Sequence, residues 1–183
     1  MKILAISDTH GDISKAKKIW ASVDDPDLVL HMGDHYSDAL RLADSIKTPV
    51  IAVPGNMDPE LDAPLNQVVE TEAGSILITH GHTERVRWSF DSLLYRAEEK
   101  GCAFVLFGHT HVAMDETIDG IRLINPGSLT RPRDGNSGSY ALIETSPGKL
   151  TCRIIRLEND KASKKSSDKG GRLRKILNYS DRL

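Results

Sequence analysis

Six short apolar runs in this chain each end in residues able to do chemistry. Asp8-Thr9-His10 follows residues 3–6, Gly33-Asp34 follows 28–32, and Gly55-Asn56-Met57-Asp58 follows 50–53. Further along, His80-Gly81-His82 follows 76–78, Gly108-His109-Thr110-His111 follows 105–107, and Asn125-Pro126-Gly127-Ser128 follows 121–124. The first five offer oxygens from Asp8, Asp34 and Asn56 and nitrogens from His10, His80, His109 and His111. Imidazole suits the borderline ions Zn, Fe, Co and Ni, whereas carboxylate and amide oxygens suit harder ones such as Mn. The mixture serves either kind, and it is large enough for two ions. Two divalent cations roughly 3.5–4 Å apart clamp a phosphoryl group: they hold a hydroxide for in-line attack and neutralise charge on the phosphate. Asp34 suits a bridge between them, because Gly33 beside it lets the backbone approach closely.

Taken singly, each fragment is weak. Gly-Asp and Gly-Asn are turn dipeptides, and an aspartate after a strand often caps a helix. Their joint occurrence, in chain order and always beyond an apolar run, weighs against an all-structural reading. Asp8 and His10, like His109 and His111, are spaced i, i+2. In extended backbone such pairs leave on one face, so each pair is expected to reach into one site.

The elements that must position these residues follow from periodicity. Strands are expected at 3–6, 28–32 and 50–53, separated by helices from Asp12 or Ser14 to about Val23 and around 37–46. The segments 68–71 and 75–79 flank Glu72-Ala73-Gly74 as a hairpin, and a helix fits 89–100 with Gly101 as its stop. Strands follow at 104–107, 114–118, 121–124, 140–144 and 150–157. The arrangement is α/β, with two packed sheets of mixed strand direction and helices on their outer faces. Loops beyond the carboxyl ends of parallel strands converge on one rim, where ligands bind.

At 183 residues, 39% hydrophobic and 27% charged, the chain fits one globular domain, expected over 1–158. No apolar run approaches the roughly 20 residues of a bilayer span, and the opening apolar stretch is short for a signal peptide. No membrane partner is expected, and the cytoplasm is the default location. Cys102 and Cys152 read as buried thiols. The formal charge of −2 conceals an asymmetry: residues 159–183 carry eight Lys or Arg and three Asp, +5 in all, leaving −7 for 1–158. That basic C-terminal tail is expected to be flexible, with a short helix around 172–179.

The ordered set Asp8-x-His10, Gly33-Asp34, Gly55-Asn56, His80-Gly81 and Gly108-His109-Thr110-His111 resembles the calcineurin-like metallophosphoesterase superfamily. Asn125-Pro126-Gly127-Ser128 with Arg131-Pro132-Arg133 is similar to its small bacterial and archaeal phosphodiesterase branch, over about residues 1–157. The resemblance implies a four-layer α/β/β/α sandwich. It also implies one cation on Asp8, His10 and His111, a second on Asn56, His80 and His109, and Asp34 bridging, with Asp34, Asn56 and His80 serving catalysis. Mn²⁺ is the ion usual in that branch. Many members carry a His directly after the Asn of the third motif, where it assists the leaving group; here Met57 stands there. A thioether cannot transfer a proton, so His35 or His82 must help, or substrates with good leaving groups react fastest.

The function expected is metal-dependent hydrolysis of a small phosphate ester. Diesters are favoured because a shallow site offers few groups to hold a monoester's extra charge. Two rivals differ in class: an interaction module such as the same fold forms in the eukaryotic retromer coat, and a nuclease, for which the basic tail is the one encouragement. Every ligand position keeps a competent residue, which opposes the first. Nucleic acid is not favoured as partner, and a homo-oligomer is compatible. His31 reads as a core or supporting residue; His35 and His82 flank the presumed ligands. Arg131 and Arg133 read as surface charge, with phosphate binding the alternative.

Overall fold

A computed structural model describes residues 1–60 and 62–158. The expected basic tail and its short helix lie outside the described residues. The elements are β1 (Lys2–Ile6), α1 (Ser14–Ser22), β2 (Leu28–His31), α2 (Tyr36–Ala43), β3 (Val50–Ala52), β4 (Asn66–Val69), β5 (Ile76–Thr79), α3 (Asp91–Glu99), β6 (Phe104–Leu106), β7 (Met114–Ile118), β8 (Ile121–Asn125), β9 (Ser139–Ser146) and β10 (Lys149–Arg156).

The strands form two sheets of five, ordered β10-β9-β1-β2-β3 and β4-β5-β6-β8-β7. In the first, β1, β2 and β3 run parallel, with β9 antiparallel to β1. In the second, β5, β6 and β8 run parallel, with β4 and β7 antiparallel at its edges. Both sheets are mixed, as expected. The β4–β5 hairpin closes through Gly74, whose N–H donates to Thr71 O at 3.1 Å.

Strand alternation builds the layers. On β1, Ile3 and Ala5 face the second sheet and, with Leu30 of β2, pack against its Ile76, Ile78, Leu106 and Ile124. The intervening Leu4 and Ile6 face outward and pack with Ala16 and Ile19 of α1 and Leu42 of α2. On the far side, Leu77, Val105 and Leu123 pack with Leu93, Leu94 and Ala97 of α3. Both faces of each parallel strand are therefore apolar, which explains runs rather than alternation in the sequence. The result is the four-layer α/β/β/α sandwich. Each fully buried Leu or Ile contributes about 1.5–3 kcal/mol of transfer free energy, so the apolar stripe holds the helices.

Caps contribute little here. The first residue outside α1 is Ile13, with no side-chain cap; Asp12 Oδ1 instead accepts from Ser14 N at 3.0 Å and Ser14 Oγ at 2.5 Å. The capping role expected of Asp12 or Ser14 is not made, because the two side chains satisfy each other. Helix α3 ends as expected, Gly101 taking a left-handed φ of 65°. Among the described residues no helix is long and apolar enough to cross a membrane.

Candidate metal centre

The carboxyl ends of β1, β2, β3, β5, β6 and β8 open on one rim, and the seven expected ligand residues all follow them. The backbone there is unusual. Asp8, His10, Asp34, His35, His109 and His111 all have left-handed φ, between 47° and 72°. For residues with a Cβ this costs about 1–3 kcal/mol each and is held by surrounding structure. The expectation that each i, i+2 pair reaches one site holds for Asp8 and His10, which enter the same group, and fails for His109 and His111. The segments are turns, not extended backbone, so the side chains do not simply alternate. His111 turns toward His10, their ring centroids 5.0 Å apart, while His109 turns toward His80 at 5.1 Å.

Two adjoining groups result. In one, Asp8, His10, Asp34 and His111 each offer a ligand atom within 4.8 Å of the others. His111 Nε2 lies 3.1 Å from Asp8 Oδ1 and 3.4 Å from His10 Nε2. In the other, His80 Nε2 lies 3.2 Å from Asn56 Oδ1 and 3.2 Å from Asp34 Oδ1. Asp34 stands between the groups, its Oδ2 3.8 Å from His10 Nε2.

The hydrogen bonds fix which nitrogens face inward. His80 Nδ1 donates to Met32 O at 2.6 Å, and His111 Nδ1 donates to Arg131 O at 2.7 Å. A carbonyl only accepts, so in each neutral ring the inward Nε2 carries a lone pair. Such anchoring of the outer nitrogen is the usual support of a metal-binding histidine. Asp8 Oδ1, buried, takes no hydrogen bond although His111 Nε2 is near. An unsatisfied carboxylate oxygen facing imidazole lone pairs is an arrangement a cation would relieve, so the donor set fits a divalent metal.

Protonation is shaped accordingly. Burial lowers the His10 pKa, Asp34 opposing it only in part. Burial, with the charges of His80 and Arg87, pushes His109 down to about 4. For His80 burial also acts downward, but the Asp34 hydrogen bond and the charges of Asp8 and Asp34 outweigh it and raise its pKa. Burial would raise Asp34; the hydrogen bond and charge of His80, with the Met57 N–H, hold its carboxyl well below the usual range.

Several residues outside the expected ligand set hold this geometry. Ser7 Oγ donates to Asp8 Oδ2 at 2.5 Å, and Ser128 Oγ donates to Asp8 O at 2.8 Å. Thr9 is fully buried between two candidate ligands, and its hydroxyl donates to Asp38 Oδ2 at 2.7 Å. Gly11 N–H reaches the same oxygen at 2.7 Å. Gly33 N–H donates to His31 Nδ1 at 3.3 Å, so His31 Nε2–H is the donor to Thr9 Oγ1 at 3.0 Å. Burial holds His31 neutral, its pKa lowered to about 4. The supporting role expected of His31 is the one it has. Asn125 Nδ2 fixes the histidine turn by donating to Gly108 O at 2.8 Å. The polar type of Thr9 and its place between Asp8 and His10 is the one signal that would have found it.

A cleft of about 310 Å³ leads to the centre, lined by His10, Asp34, Asn56, Met57, Arg87, His111 and the Arg131-Pro132-Arg133 segment. Met57 is exposed, as its rim position requires. His35 packs edge-on to His10 at 5.4 Å, and His82 lies 5.3 Å from His80. Three arginines on the cleft do not fit the expectation that few groups could hold extra negative charge. Sequence reasoning missed Arg87 because its loop precedes α3 and meets the rim only in the folded chain.

A sandwich of two mixed sheets, with Asp, Asn and His gathered beyond its parallel strand ends, defines a class: the metal-dependent phosphoesterases. The chain belongs to the calcineurin-like phosphoesterase superfamily, whose domain model matches residues 1–148. It is 34% identical over 175 residues to the probable metallophosphoesterase YsnB of Bacillus subtilis (strain 168), covering 93% of each chain. It is 29% identical over 170 residues to phosphodiesterase YfcE of Escherichia coli (strain K12), covering 79% of this chain and 88% of that one. A crystal structure of a predicted phosphoesterase from Streptococcus pneumoniae TIGR4 superposes with a TM-score of 0.72 at 29% identity, covering 85% of this chain and 88% of the other.

Proposed function

We propose that this chain is a two-metal phosphodiesterase in which Asp8, His10 and His111 hold one divalent cation and Asn56, His80 and His109 hold the other, with Asp34 bridging. The observation that carries the reading is the position of Asp34: Oδ1 faces His80 at 3.2 Å while Oδ2 faces His10 at 3.8 Å. One carboxylate thus addresses both groups of nitrogens. The mixed oxygen and imidazole set supports Mn²⁺, with Zn, Fe, Co or Ni compatible.

When bound, two such cations supply an activated water as nucleophile and neutralise charge on the phosphoryl oxygens. The protein's own residues do the positioning. Met32 O and Arg131 O orient the His80 and His111 rings, and Ser7 and Ser128 fix Asp8. Asn56, exposed at the rim, lines the cleft by which a phosphate would enter, and His80 lies buried behind it. Met57 lines the cleft and has no proton to give, so esters with stable leaving groups should turn over fastest. The phosphodiesterase name of the Escherichia coli relative supports the diester preference.

Asp8→Ala or His80→Ala should abolish Mn²⁺-dependent hydrolysis of bis(4-nitrophenyl) phosphate. Wild-type turnover in either variant would overturn the assignment. A panel of metals against matched mono- and diesters, read as kcat/KM, tests the ion and the substrate class together.

A further inference from the structure

We propose that Arg87, Arg131 and Arg133 form a second anion subsite at the mouth of the centre, selecting phosphate esters that carry another phosphate or phosphonate beside the scissile one. The inference rests on the phosphoesterase reading above and names the substrate class of that site. It begins from charge. Two divalent cations are matched by Asp8, Asp34, the nucleophile and the single negative charge of a diester. The three guanidinium groups on the cleft are then left over.

None of the three is in an ion pair with a carboxylate among the described residues. Among the described residues the arginines paired with carboxylates are Arg41, Arg96, Arg122 and Arg156. Arg87, Arg131 and Arg133 are exposed and line the same cleft as His10, Asp34 and His111. Unpaired arginines converging on a concave site present forked donors matched to phosphate oxygens.

They are also mounted on the metal-binding framework rather than on free loops. Arg87 donates to His109 O at 3.1 Å, which leaves its remaining guanidinium donors for a ligand. Arg131 N–H donates to Ser128 Oγ at 2.9 Å, and its carbonyl anchors His111. Arg133 N–H donates to His111 O at 3.0 Å. Pro132 between the two arginines fixes its own φ and stiffens the segment. Arg87 thus approaches beside His109, and the other two beside His111, so the positive charge flanks both ends of the centre. A substrate lying across it would place a second anion against one flank.

The test uses two esters with one leaving group: methyl 4-nitrophenyl phosphate and 2-phosphonoethyl 4-nitrophenyl phosphate. The wild type with Mn²⁺ should favour the phosphonoethyl ester by about 10-fold or more in kcat/KM, the scale of one charge-assisted hydrogen bond. In the Arg87→Ala/Arg131→Ala/Arg133→Ala variant that ratio should fall to near one. An equal kcat/KM for both esters in the wild type, or an unchanged ratio in the variant, overturns the subsite. Turnover of neither ester by the wild type overturns the phosphoesterase reading instead. Calorimetric binding of propane-1,3-bisphosphonate against propylphosphonate then decides the subsite by itself: tighter binding of the bisphosphonate that the variant loses supports it, and equal binding refutes it.

Discussion

His80 Nε2 stands 3.2 Å from Asp34 Oδ1, while its other ring nitrogen donates to Met32 O at 2.6 Å. A proton and a divalent cation therefore compete for one position. The Asp34 hydrogen bond, with the charges of Asp8 and Asp34, raises the His80 pKa against the opposing effect of burial, and that proton must leave before a metal binds. Apparent Mn²⁺ affinity should fall on acidification by about tenfold per pH unit once pH is below the His80 pKa. Calorimetric titrations from pH 8 downward check this. At 100-fold excess over Kd, Mn²⁺ should stabilise the fold by about 2.7 kcal/mol, and a flat affinity profile would contradict the arrangement.

His31 titrates in the opposite direction. Its pKa is about 4 in the folded chain and 6.5 as the ordinary value. Between these, the unfolded chain binds the proton and the folded chain does not, so stability falls as pH falls from 6.5 towards 4. The residue should account for about 3 kcal/mol over that window. Urea unfolding in chelator, comparing wild type with His31→Gln, isolates the effect. The variant should lose less stability between pH 7 and 5, and parallel curves would show that His31 is not held neutral.

Gly55 tests how tightly the rim is packed. A Cβ there would meet the Asp34 carboxylate and backbone, with Asp34 Cα at 2.9 Å. Gly55→Ala should cost about 1–3 kcal/mol, the range for overpacking, and should weaken Mn²⁺ binding because Asp34 must move. Denaturant midpoints with and without Mn²⁺ separate the two effects. Wild-type behaviour in both would show that the backbones are not in register as described.

The strands and the chemistry at their ends were legible because of a simple contrast. Ile3–Ala5 and Leu4–Ile6 pack against different layers, so β1 is apolar throughout, and Asp8 and His10 stand out as abrupt polar residues beyond it. The same contrast marks His80 after β5 and His109 after β6. The direction of each side chain was not legible. His109 and His111 share a spacing that suggests one face, yet left-handed turns at both send them to different groups. Neither position is glycine, so nothing in residue type announces the conformation. Thr9, Asp38 and Arg87 were missed for a related reason. Their contacts with His31, Gly11 and His109 cross the sequence by long or irregular intervals that no periodicity encodes.

Metal stoichiometry tests the central claim most directly. Protein reconstituted with Mn²⁺, desalted and assayed by mass spectrometry of the bound metal should carry two ions per chain, and Asp34→Ala should carry fewer than one. Two ions retained by Asp34→Ala, or none in the wild type, would contradict a carboxylate shared between two cations.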